Sequence, residues 1–237
     1  MAQAGRTRSR TRWAVAAAVL AVALAVGGPY VYINFVAGDP PDRLDAATQQ
    51  ATADTTEAAA GASGSLDGTW TAGSGSQAGY RVKEVLLGQD TEAVGRTTAV
   101  TGQLTLSGTQ VRSGSFSVDL TQVTSDEQRR DAQFQGRIMD TATYPTATFK
   151  LAQPITLGSL PASGGDATAK ASGELTLRGT TKPVTVAVTA RRSGDSFQVS
   201  GSIPVTFSDW AIPNPSFGPV TTEDHGTIEF LLVFART

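Results

Sequence analysis

The residues that could do chemistry are few and scattered. His225 is the single histidine, set in Glu223-Asp224-His225-Gly226, and cysteine is absent. A histidine beside carboxylates can serve as an oriented base, but nucleophilic catalysis also needs an activated hydroxyl or thiol in reach. The sequence has no Gly-x-Ser-x-Gly elbow to present a serine. The absence of cysteine removes a thiolate nucleophile, a disulfide framework and a lipid-modified N-terminal Cys. Zinc needs several nitrogen or sulfur ligands at close spacing, so no metal and no cofactor is expected. Gly73-Ser74-Gly75-Ser76 reads as a turn with no helix behind it to receive a phosphate. Asp119 and Glu174 fall on the polar parity of their strands, facing solvent. Asp131 follows Arg130 directly, and neighbours one apart on a helix do not face each other. Arg130, Arg137 and Arg178 are the cations that could meet a phosphate head group. The chemistry-bearing residues therefore predict no enzyme.

The elements around them are strands. Apolar and polar residues alternate through Tyr80 and Val82, through Val100, Leu104 and Leu106, and through Phe116, Val118 and Leu120. The same period runs through Ala147, Phe149 and Leu151, then Leu175 and Leu177, then Val184, Val186 and Val188. Phe197, Val199, Ile203, Val205 and Phe207 share one parity, with Gly201 between them as a bend, and Ile228, Phe230, Leu232 and Phe234 close the chain. About eight such strands with short turns predict an all-β antiparallel barrel or sandwich, and an eight-stranded barrel can hold one small ligand if its inner side chains leave room. One short helix is expected where Ser125 and Gln128 form a capping box, with Arg130, Phe134 and Ile138 on one face. It can plug one barrel end or act as a lid. The stretch 208–219 contains three prolines, which excludes regular helix or central strand, and carries Trp210, Ile212 and Phe217 on a loop.

The N-terminus has a different character. Arg6, Arg8, Arg10 and Arg12 precede an apolar run from Trp13 to Val36, long enough to cross a bilayer as a helix. Arginines before the run and Asp39, Asp42 and Asp45 after it predict the N-terminus inside and the main body outside the cytoplasm. The expected organisation is a basic segment 1–12, a transmembrane signal anchor 13–36, a flexible linker 37–65 poor in hydrophobic bulk, and a folded domain 66–237. The alternative is a secreted protein whose signal peptide is cut near Ala23-Leu24-Ala25. Beyond the first twelve residues no basic stripe remains to track phosphates, so nucleic acid is not an expected partner.

Several segments, in order, resemble the YceI-like domain family. They are Gly68-Thr69-Trp70, Ser76-Gln77-Ala78-Gly79-Tyr80-Arg81-Val82, Gly102-Gln103-Leu104, Arg130-Asp131, Tyr144-Pro145 with Phe149, the run Gly173 to Val184 and Ser208-Asp209-Trp210. The resemblance spans about 67–236. It implies a lipocalin-like antiparallel barrel around a long apolar cavity that binds a polyisoprenoid or similar amphipathic lipid in an exported protein. The chain departs from the family's pattern at Glu84, Ala132 and Gln133, where many members carry histidine, at Phe207 in place of arginine and at Ala211 in place of glycine.

With that resemblance, the ligand is expected against the inward residues Tyr80, Val82, Val100, Leu104, Phe116, Val118, Phe149, Leu177, Val186, Val199, Ile203 and Phe230, closed by Phe134, Ile138 and Trp210. The expected function is a membrane-tethered lipid-binding module outside the cytoplasm. Two alternatives stand beside it: an enzyme acting on an isoprenoid or other small hydrophobic substrate, and a structural or interaction domain with a filled barrel, with a homodimer among its possible forms.

Overall fold

The computed structural model describes residues 40–45, 66–86 and 88–236. The basic segment 1–12, the apolar run 13–36 and most of the segment 37–65 lie outside those residues. Among the described residues no helix is long and apolar enough to cross a membrane.

The alternating segments form twelve strands in one antiparallel sheet: β1 (Gly68–Ala72), β2 (Gln77–Leu86), β3 (Gln89–Thr97), β4 (Val100–Ser107), β5 (Gln110–Asp119), β6 (Thr146–Leu151), β7 (Ile155–Thr156), β8 (Asp166–Leu177), β9 (Thr180–Ser193), β10 (Ser196–Thr206), β11 (Val220–Thr222) and β12 (His225–Arg236). The sheet closes because β12 pairs with β10 on one side and with β1 and β2 in turn on the other. β1 and β2 are one strand interrupted by a jog at 73–76. There the Gly73 N–H donates to the Val233 carbonyl, and the buried Ser76 hydroxyl accepts from the Val233 N–H, both at 2.9 Å. β3 and β4 likewise continue one another, since β3 pairs with β2 and β4 with β1. Taking each interrupted pair as one strand, the ring has eight: β1/β2, β3/β4, β5, β6, β8, β9, β10 and β12. Closure removes the open edges that an eight-stranded sheet would otherwise expose.

β3 was not among the strands expected from the sequence. Its inward residues pair with Ala78, Tyr80 and Val82 of β2 and are Thr97, Gly95 and Ala93, which supply no hydrophobic bulk. The bulk comes from β2: a Cβ on Gly95 would lie 2.3 Å from the Tyr80 ring. On its far side β3 carries an isolated bridge from Arg96 to Thr124, so the wall has an irregular seam between β3/β4 and the connection after β5.

The helix lies at one end of the barrel. It is a six-residue α-helix, α1 (Gln128–Gln133), that widens into a π-turn over Phe134–Ile138, where the Met139 N–H reaches the Phe134 carbonyl at 2.8 Å. The expected cap is displaced. Glu127 caps the helix, accepting from the Arg129 N–H at 3.2 Å. The helix begins too late for Ser125 to cap it, and Ser125 instead donates its N–H and hydroxyl to Asp131 Oδ1 at 2.8 and 2.7 Å.

The barrel interior and its capped end

The inner face is one hydrophobic cluster. Every residue expected to line a ligand space belongs to it: Val82, Val100, Val118, Phe134, Phe149, Leu177, Val186, Ile203, Trp210 and Phe230 are buried, and Tyr80, Leu104, Phe116, Ile138 and Val199 are half-buried against them. The cluster also takes in Trp70, Leu175, Phe197, Phe207, Leu232 and Phe234. Trp70 is 1% exposed and meets Phe197 edge-on at 4.8 Å between ring centres. Phe116 stacks on Phe149 at 5.4 Å and lies tilted against Phe230 at 5.3 Å, so three strands contribute to one aromatic group.

Glycines make room for these rings. A Cβ on Gly173 would come within 2.4 Å of Phe149, and one on Gly201 within 2.7 Å of Phe230. The inward parity is nevertheless not uniformly closed. Leu104, Phe116, Val188, Val199 and Ile228 point to the inside and stay only half-buried. Their apolar surface is incompletely covered by neighbouring side chains.

One end of the barrel is capped by α1 and by the proline-containing loop. The loop begins with a 3₁₀ turn over Phe207–Trp210 that ends at Ala211 in the left-handed region. Of the three arginines considered for a phosphate, two are engaged in holding this loop. Arg137 donates to the carbonyls of Asn214 at 2.8 Å and Pro215 at 3.0 Å, and Arg178 donates to that of Ala211 at 2.6 Å. Lys182 adds an ion pair to Asp209 at 2.9 Å and lies 5.6 Å from the Trp210 ring centre. The segments Tyr144-Pro145 and Leu177-Arg178-Gly179, far apart in sequence, meet here. Arg178 and Gly179 form a hairpin turn with positive φ at both residues, the Tyr144 ring lies where a Gly179 Cβ would be, and Arg178 reaches over that ring.

The third arginine joins the inner polar group. Glu84 follows Val82 on the inward parity of β2 and is 7% exposed. Arg130 of α1 donates to it at 3.0 Å and also pairs with Asp126. Burial opposes the Arg130 charge, but the field of Glu84, then that of Asp126, more than offsets it and holds the guanidinium above its ordinary value. Tyr80 stacks on Phe134 at 5.0 Å, and burial pushes its hydroxyl well above the ordinary tyrosine value. Two donors at the capped end, Arg178 Nε and Trp210 Nε1, are buried without a hydrogen-bond partner among the described residues. His225 pairs with Glu223 at 3.1 Å and Asp224 at 2.8 Å on the exposed surface.

The sequence did not signal a second polar group, on the outer wall. Arg81 of β2 and Glu229 of β12 lie on the polar parity, yet they are 5% and 3% exposed. Arg81 Nε donates to Glu229 at 2.8 Å and Arg81 Nη1 to Glu92 at 2.6 Å. A third small group is the open cleft of about 320 Å³ at the seam, lined by Gln77, Arg96, Thr97, Thr98, Ala99, Gln122 and Thr124.

An eight-stranded antiparallel barrel with an apolar interior and a short helix at one end is a lipocalin-like architecture. The YceI-like domain profile matches residues 70–234, and the chain belongs to that family. Among solved structures it is similar to a polyisoprenoid-binding domain from Saccharophagus degradans implicated in plant cell wall breakdown, at 15% identity and a TM-score of 0.58, covering 72% of this chain and 99% of that one. It is also similar to BcnA of Burkholderia cenocepacia, at 23% identity and a TM-score of 0.50, covering 65% of this chain and 95% of that one. These similarities concern the fold. No curated protein matches the chain.

Proposed function

We propose that the protein is a non-enzymatic lipid-binding module that holds a polyisoprenoid or similar amphipathic chain inside its barrel, tethered to the outer side of a membrane by its N-terminal segment. One observation carries this reading. The wall presents a continuous apolar inner face on which Leu104, Phe116, Val188, Val199 and Ile228 remain incompletely covered. Each methylene moved from water onto such a surface contributes about 0.8 kcal/mol, so a long chain gains far more than a compact solute. Family membership and the S. degradans domain support the same class of ligand. The head group belongs at the capped end. Arg130 beside Glu84, and the unpartnered donors of Arg178 and Trp210, offer hydrogen bonds to its oxygens.

The test is native mass spectrometry of the full chain, purified in mild detergent from its own membranes and then offered isoprenoid lipids in vesicles. The expected result is a one-to-one adduct with a long-chain lipid that survives detergent exchange. A protein that carries no lipid and takes none up refutes the reading.

A further inference from the structure

Residues 40–45 do not hang free of the barrel. Leu44 is 6% exposed and packs on Leu231, which is fully buried on the outward parity of β12. Around this contact the backbone of the segment completes the outer polar group. The Pro41 carbonyl accepts from Arg81 Nη2 at 2.6 Å, the Asp42 carbonyl accepts from Arg96, and Arg43 donates to Glu229 at 3.3 Å.

The wall is shaped for this segment. Glu229, Gly79 and Arg96 lie in one row across β12, β2 and β3. A Cβ on Gly79 would stand 2.9 Å from the Arg96 side chain, so the glycine leaves the path along which Arg96 crosses β2 to approach Glu229 at 3.5 Å. Burial lowers the Arg96 pKa from its ordinary value. Arg81, despite burial, is held above its ordinary value by its hydrogen bonds to Glu229 and Glu92. A buried ion group on the outside of a barrel needs a cover that satisfies its remaining donors. Here the cover is the chain's own upstream segment, which takes up Arg81 Nη2 and Arg96 Nη2 and leaves Arg96 Nε without a partner among the described residues.

We infer that the outer wall of β3, β2 and β12 is a docking site for the segment Pro40–Asp45 of the same chain, and that this strap, rather than residue 66, is where the barrel is attached to what lies upstream. The second half of this inference rests on the membrane-anchor reading. Val36 and Pro40 are four Cα–Cα steps apart, a reach of at most about 14 Å, whereas the thirty steps from Val36 to Leu66 could reach about 100 Å. A docked strap therefore holds the barrel wall next to the bilayer.

Trypsin tests the docking. Cleavage between Arg43 and Leu44 requires the strap to leave the wall. In the full chain Leu44→Ser should raise the cleavage rate at that bond about tenfold or more, with the barrel's thermal transition unchanged. Equal rates in the two proteins overturn the proposal, and so does protection that vanishes on dilution, which would mean that a second copy supplies the strap. Bilayer distance tests the consequence. The chain lacks cysteine, so Lys83→Cys on the outward parity of β2 takes a single fluorophore. In vesicles with acceptor-labelled lipid, energy transfer should be high with the native strap and fall with Leu44→Ser. Unchanged transfer overturns the proximity claim. A chain that does not associate with vesicles refutes the anchor reading, while the trypsin comparison still decides the strap.

Discussion

Arg81 of β2 and Lys182 of β9 each pair with a carboxylate, yet they differ in consequence because one pair is buried and the other is not. Lys182 and Asp209 are exposed, and such pairs contribute about 0–1 kcal/mol; Lys182→Met should shift the urea midpoint only slightly. Arg81→Met should cost about 2–4 kcal/mol by equilibrium unfolding, because it strands the buried Glu229 carboxylate, with Arg43 and Arg96 partly compensating. Tyr80 makes a pH prediction. Its folded-state pKa is raised above 10.0, chiefly by burial. Its contribution is therefore present in full below pH 10 and is lost as pH rises beyond it, because the unfolded tyrosine ionises first. Tyr80→Phe should flatten the alkaline limb of stability, read from urea midpoints across roughly pH 8 to 11. Equal slopes in the two proteins would contradict this account. The apolar lining was legible at this scale, since alternation alone placed Val82, Phe149, Val186 and Phe230 on the inner face. Arg81 and Glu229 were not. Their partners stand 40 and 186 residues away along the chain, and a polar residue at an outward position carries no local sign that another segment covers it.

At the scale of elements, the loop at the capped end is anchored at its start by buried Phe207, Trp210 and Ile212, and beyond them it is held by directed contacts. Phe217 remains largely exposed on the loop, whereas Arg137, Arg178 and Lys182 tie the loop to the π-turn, the β8–β9 hairpin and β9. Segments with few buried apolar contacts open at lower free energy than the core. Arg137→Ala should therefore raise hydrogen exchange at the amides of residues 212–218 and speed lipid exchange between the protein and vesicles, with the β12 amides unchanged. Exchange that rises equally throughout the barrel would mean that Arg137 supports the whole fold and not the loop. The same elements show where sequence reading stops. The helix was legible because Arg130, Phe134 and Ile138 share a face, and the structure places that face towards Glu84 and the core. Its start was not, because Glu127 takes the cap and Asp131 draws Ser125 away. β3 escaped because its inward positions, Ala93, Gly95 and Thr97, owe their burial partly to Tyr80 on the next strand.

For the molecule as a whole, ring closure and ligand capacity are separate properties. Closure comes from the long β8–β9 and β10–β12 pairings and from β12 serving β1 and β2 in succession. Capacity depends on the inward residues that remain half-buried, and it can be altered without touching those ladders. Val199 lies on β10 beside Leu232 of β12, and both face inward. Val199→Phe adds ring volume inside the wall without removing a backbone hydrogen bond. Overpacking of a closed core typically costs about 1–3 kcal/mol, whereas filling an open space costs less. If the barrel holds a lipid chain, Val199→Phe should keep the cooperative thermal transition while lowering lipid uptake, and Phe116→Ala should do the reverse, losing stability by less than the roughly 3–5 kcal/mol of a fully buried ring while still binding. Measuring both variants by thermal unfolding and by native mass spectrometry after exposure to vesicles separates the cases. A barrel whose interior is already filled would be destabilised by both substitutions and would show no lipid adduct in either. The two responses moving in opposite directions would identify the inner face as a container whose room is set by these side chains and whose wall is set by the strands.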